Sequence, residues 1–109
     1  MPTTYKVLGQ SNPSATTATT LYTVGAGKSA VVSTIAVCNQ AATSATFRIA
    51  IRVAGSALSA EEYIAYDSTV AANDTTMLTI CITLAATDVI TVYASTANLS
   101  FNAFGSEIS

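Results

Sequence analysis

Histidine is absent from the 109 residues, and with it the commonest general base and metal ligand, so no Ser-His-Asp or Cys-His pair can form. Tryptophan is absent too, which weakens a sugar-stacking reading of the tyrosines. Charge is scarce: charged residues are 9% of the chain, against the roughly 25% usual for soluble domains. The net charge is −2, and the only cations are Lys6, Lys28, Arg48 and Arg52, with no cluster able to neutralise a phosphate backbone. A nucleic-acid partner is excluded on that ground. No apolar run approaches the ~20 residues of a membrane-spanning helix, so no membrane partner is expected. The start Met-Pro-Thr-Thr-Tyr-Lys lacks a charged segment followed by an apolar one, so no signal peptide is expected and synthesis in the cytoplasm is. Cys38 and Cys81 each sit in an apolar run, where cysteine behaves as a small hydrophobe, and two free thiols are expected. A disulfide is conceivable only if their strands are neighbours.

What the chain has in quantity is short alternating segments. From Ser44 to Val53, Phe47, Ile49, Ile51 and Val53 fall on one side and Thr46, Arg48, Ala50 and Arg52 on the other, the period of a half-buried β-strand. Similar runs cover Tyr5–Leu8, Leu21–Val24, Ala30–Cys38, Tyr63–Tyr66, Thr75–Leu84, Val89–Ala94 and Leu99–Phe104, with turn residues between them. About eight short strands at regular spacing predict an all-β fold, an antiparallel β-sandwich or jelly roll. Its core is expected from Leu21, Val31, Ile35, Val37, Phe47, Ile49, Ile51, Val53, Ile64, Leu78, Ile80, Ile82, Ile90, Val92, Leu99 and Phe101. Residues 1–20 read as a first strand followed by a Thr/Ala-rich arm, and 21–109 as the sandwich. The second faces of Ala30–Cys38 and Thr75–Leu84 are also largely apolar, which suits either a neighbouring subunit or a covering loop.

The motifs that carry chemistry are weak. Gly27-Lys28-Ser29 imitates the end of a phosphate-binding loop, but Tyr22 stands where the first glycine belongs, and a β-branched run follows in place of a helix. A hairpin turn is the expectation there. Glu61 and Glu62 are adjacent in a strand context, which points them to opposite faces, while Asp67, Asp74 and Asp88 lie beside turns, where carboxylates cap backbone groups. No catalytic set, cofactor or metal site is expected. Tyr63 and Tyr66 flank an apolar pair, and Tyr22 and Tyr93 sit where a ring can be buried with its hydroxyl at the rim, placements that suit an interface as well as a core margin.

The stretch from Leu21-Tyr22-Thr23-Val24-Gly25-Ala26-Gly27-Lys28 to Val31-Val32-Ser33-Thr34, with Cys38-Asn39, Phe47-Arg48-Ile49-Ala50, Ala65-Tyr66-Asp67, Leu84-Ala85-Ala86-Thr87-Asp88-Val89 and the ending Leu99-Ser100-Phe101 to Glu107, resembles small structural proteins encoded by tailed bacteriophages. Two positions depart from that pattern: Gly25 stands where proline is common, and Cys81 where glycine is. The resemblance implies a non-enzymatic virion component. Its first expectation is a capsid decoration, or cement, protein on the outer capsid surface, bridging major capsid subunits as a homo-oligomer, with a trimer expected. The alternative is a tail fibre, baseplate or host-binding adhesin module. The contact candidates are Arg48 and Arg52, Tyr63 and Tyr66, and Thr16 and Thr17 of an arm that orders on a neighbour.

Overall fold

Each alternating run becomes a strand because one face can be buried and the other left outside. The computed structural model, which describes residues 2–109, contains eight strands: β1 (Thr3–Ser11), β2 (Thr19–Thr23), β3 (Ser29–Asn39), β4 (Ala45–Arg52), β5 (Tyr63–Val70), β6 (Thr75–Leu84), β7 (Val89–Ala94) and β8 (Leu99–Ile108). They form two four-stranded antiparallel sheets, ordered β1-β8-β3-β6 (sheet A) and β2-β7-β4-β5 (sheet B). Only the β4–β5 connection stays within one sheet; every other link crosses between layers. That order is a jelly roll, the all-β sandwich that the strand count predicts. Gly25–Lys28 is therefore a sheet-crossing turn between β2 and β3, not a hairpin.

Three of the crossings use one device. The Lys28, Asp74 and Asp88 amides each donate to the carbonyl three residues earlier, Gly25, Ala71 and Ala85, at 3.1, 3.2 and 3.1 Å. The third residue of each turn has positive φ: Gly27 at 74°, Asn73 at 53° and Thr87 at 71°. Glycine and asparagine take that conformation readily, whereas β-branched Thr87 does so at a cost. Asp88 offsets it: buried, its carboxylate accepts from Ala85 and Ala54 amides, each at 2.9 Å, while the Thr87 amide donates to Val24 at 3.0 Å.

Between the sheets lie Leu21, Val24, Val32, Ile35, Val37, Phe47, Ile49, Val70, Leu84, Ile90, Val92, Leu99 and Phe101, with Phe47 and Phe101 edge to face at 6.1 Å between ring centres. Three expected core residues are displaced: Val53 begins the 3-10 turn Val53–Gly55 after β4 and is 64% exposed, and two others are moved by bulges. In β3 an irregularity between Val32 and Thr34 inserts Ser33, so Ala30 and Val32 point inward above it, Ile35 and Val37 below it, and Val31 faces out. In β5 the register breaks between Ser68 and Ala65 and again before Tyr63, so Ala65 packs on the core and Ile64 is exposed. Ile51, Leu78 and Ile82 are partly buried at the core margin, and Ile80 is half-buried in the β6 irregularity opposite Ser33.

Residues 2–20 are not a separate arm. β1 is the edge strand of sheet A, paired with β8 from Thr3 to Ser11. Pro13 is buried, the Asn12 side chain donates to the Ala97 and Leu99 carbonyls at 3.0 and 2.7 Å, and the Thr16 amide donates to Ala94 at 2.8 Å. The low-complexity Thr/Ala sequence hides this anchoring, because the bonds are made by backbone and by one asparagine. Glu61 and Glu62 also depart from expectation: they belong to a 3-10 turn, Ala60–Glu62, and Ser59 and Glu62 form a capping box.

Candidate functional site

Register and burial together define the outer face of sheet A. Tyr5 and Val7 of β1 lie in rows with Ser106 and Phe104 of β8, with Val31 and Thr34 of β3, and with Thr83 and Thr79 of β6. Further along come Gln10, Asn102, Ala36 and Met77, then Ser100, Cys38 and Thr75. None of the chain's four basic and six acidic residues faces out here. Lys6 pairs with Gly105 in the row of buried Val32, so it points to the inner side. Large apolar groups stand open on this face: Tyr5 is 84% exposed, Met77 58% and Val7 47%. These groups stand on the two edge strands, β1 and β6, with Val31, Phe104 and small hydroxyl and amide residues between them. Cys81, exposed, and Cys38, half-buried, belong to the same face; Cys38 pairs with Thr75 near the far end of β6 from Cys81, and both are free thiols.

The outer face of sheet B is built differently. The β5 bulge places Tyr66 and Asp67 together opposite Arg48, with Asp67 at φ 52°. Arg48 Nε and Nη2 donate to the two Asp67 carboxylate oxygens at 2.7 and 3.3 Å, and the guanidinium lies 4.1 Å from the Tyr66 ring centre and 4.4 Å from that of Tyr93. This two-point bond holds the Asp67 carboxyl below its usual range. Tyr63 meets Tyr66 edge to face at 5.0 Å, and with Leu58 the two rings line a shallow surface pocket.

Of the expected contact residues, the structure brings Arg48, Tyr63 and Tyr66 into this one cluster. Arg52 lies apart, its guanidinium donating to the Ser56 and Gly55 carbonyls at 2.7 and 2.9 Å, where it fastens the turn after β4. Both arginines face the chain's own acceptors, so the groups offered outward are the tyrosine rings: Tyr66 is 58% exposed. Thr16 and Thr17 are exposed in the β1–β2 loop. Sequence reading missed the part that β1 plays in the sheet A face. The available signal was that Tyr5 and Val7 alternate with Thr4 and Lys6, leaving every charge off one side.

A third polar group closes one end of the sandwich. Tyr22 Oη donates to Glu107 at 2.7 Å, and Glu107 also pairs with the ammonium groups of Lys6 at 3.0 Å and Lys28 at 3.5 Å, its side chain only 12% exposed. The Tyr22 hydroxyl and the Lys6 ammonium hold the Glu107 carboxyl down to about 2, and burial together with the Glu107 charge pushes the Tyr22 phenol well up. A carboxylate with a depressed folded pKa adds stability that is whole above its unfolded value near 4.5 and is lost as pH falls toward 2. Glu107→Gln is expected to lower the thermal midpoint by a few degrees at pH 7. The gap to the parent should close between about pH 5 and pH 2 in melts followed by circular dichroism.

Among the described residues, no three Cys, Asp or Glu side chains are grouped so as to hold a metal ion, and no helix is long and apolar enough to cross a membrane. Comparison with protein-family models, with curated proteins and with solved structures gives no match.

Proposed function

We propose that this chain is a non-enzymatic structural protein of a virus particle, a decoration protein that stabilises the shell by bridging major capsid subunits. The observation that carries the reading is the division of its surface into two opposed faces of different character. One is an uncharged sheet face and the other a tyrosine-rich face around Arg48. A bridging protein needs two contact faces, and rigid aromatic rings beside an arginine are the groups that most often anchor protein contacts. The virion setting rests on the resemblance of residues 21–107 to small phage structural proteins. Jelly rolls recur among viral shell and lectin domains, and the fold is compatible with that setting.

The second reading, a tail-associated or host-binding module, draws on the Tyr63–Tyr66 pocket, where a ligand can stack. Heating particles that lack the protein separates the two. A decoration role predicts heads that release DNA at a lower temperature than the parent and regain stability when purified protein is added back. Heads of unchanged stability that fail to attach to host cells would sink that role in favour of the second.

A further inference from the structure

The reading above leaves open what occupies the uncharged face. We infer that the outer face of sheet A seats on the same face of a second copy of this chain, giving a two-fold dimer with the tyrosine–arginine faces turned outward. The inference rests on the reading of sheet A as a contact face, and three properties of that face select the occupant.

The first is charge. The rest of the chain carries all ten of its charged side chains (four basic plus six acidic), so the surface of this molecule that matches an uncharged face is that face itself. Face-to-face packing then desolvates no ion on either side, whereas a charged partner would leave its ions buried and unpaired.

Area is the second. β3 runs 11 residues, about 35 Å at ~3.3 Å each, and four strands about 4.8 Å apart span about 15–19 Å. The footprint is thus about 500–650 Å² before side-chain relief is counted, close to the ~800 Å² per partner of a standard stable interface. A second sheet of equal size can cover it fully, as the inner faces of sandwiches do.

The third is the content of the face. Exposed Tyr5, Val7 and Met77 stand among small Thr, Ser and Ala residues, so large groups of one copy can settle over small ones of the other. Contact of a surface with itself is isologous and closes at two copies, so the expected assembly is a dimer, not the trimer anticipated from the sequence.

Sedimentation equilibrium of the full chain tests this. The parent should sediment at twice the single-chain mass at micromolar concentration. Met77→Lys and Val7→Lys, each at an already exposed position, should raise the dimer dissociation constant at least tenfold by setting buried like charges on the face. Ile64→Lys, exposed on β5 of the other sheet, should leave it unchanged. A measurement without any substitution guards against misfolding: alkylation of exposed Cys81 by a maleimide should slow at least tenfold as the parent is concentrated through the dimer range. A parent that stays a monomer, or an oligomer of any size that Met77→Lys and Val7→Lys leave intact with Cys81 still reactive, would overturn the inference. Binding of each species to particles lacking the protein is scored separately. A monomer that binds would remove the dimer and keep the particle role; a dimer that does not bind would do the reverse.

Discussion

Replacing Phe101 with alanine is expected to remove about 3–5 kcal/mol of folding stability, the range for truncating a fully buried phenylalanine. Phe101 has no exposed surface and is the third residue of β8, its ring 6.1 Å from that of Phe47 across the two sheets. The loss combines the transfer term for the removed atoms, the cavity left in a close-packed interior, and the edge-to-face contact itself. A domain of this size has about 5–15 kcal/mol in total, so the variant should lie near the limit of folding at 37 °C. Urea titration gives the check. The midpoint should fall steeply at an unchanged slope, and the Phe47→Ala, Phe101→Ala pair should cost less than the two single changes summed, because each single change already breaks the ring contact.

An effect of similar size is expected from Asn39→Asp, a change that alters almost no volume. Asn39 is 1% exposed at the end of β3, and its Nδ2 faces three carbonyl oxygens, those of Thr43 at 2.9 Å, Ala71 at 3.2 Å and Val70 at 3.3 Å. Its Oδ1 accepts from the Ala41 amide at 3.0 Å, and its own amide donates to the Asp74 carbonyl at 2.8 Å. One side chain thus ties the β3–β4 loop to the β5–β6 turn. A carboxylate there replaces a donor with a buried charge pointed at acceptors, a loss of about 3–5 kcal/mol. Burial and the facing carbonyls raise the pKa of the introduced carboxyl in the folded state, so its penalty is greatest above that raised value and diminishes as pH falls below it. Denaturation at pH 7 and pH 4 should show the difference between variant and parent shrinking at the lower pH.

The strands were legible in the sequence because alternation is local: β6 and β7 have the predicted bounds, and the other six are found with ends moved by one to several residues. What alternation does not reveal is a bulge. A single inserted residue, Ser33, exchanges Val31 for Val32 in the core, and the β5 irregularities exchange Ile64 for Ala65. Nothing in a period-two pattern marks where the period slips, since the slip is fixed by pairing with strands distant in sequence. The same limit hid the site. Arg48 shows in the sequence as an outward cation, yet the β5 bulge that turns Asp67 and Tyr66 onto it appears only once β4 and β5 are paired. Asn39 reads as a turn residue, and its role as a buried hub depends on a turn more than thirty residues further along the chain.

The glycine close to the end of β8 shows how far pairing outweighs local preference. A side chain at Gly105 would run into the Val31 carbonyl oxygen, and one at Gly9 into that of Leu21, so both residues are fixed by the approach of a neighbouring backbone. A side chain at Gly25 would meet only the flexible Lys28 side chain, at 3.4 Å, so no backbone approach fixes the residue there.

If this sandwich works, as proposed, by contact through two opposed faces on a virus shell, cryo-electron microscopy of the intact particle should show density for the jelly roll on the outer shell over junctions between capsid subunits, with sheet A covered by a second copy and the Tyr63–Tyr66 face against the shell. Density confined to the tail, or sheet A open to solvent in every copy, would contradict it.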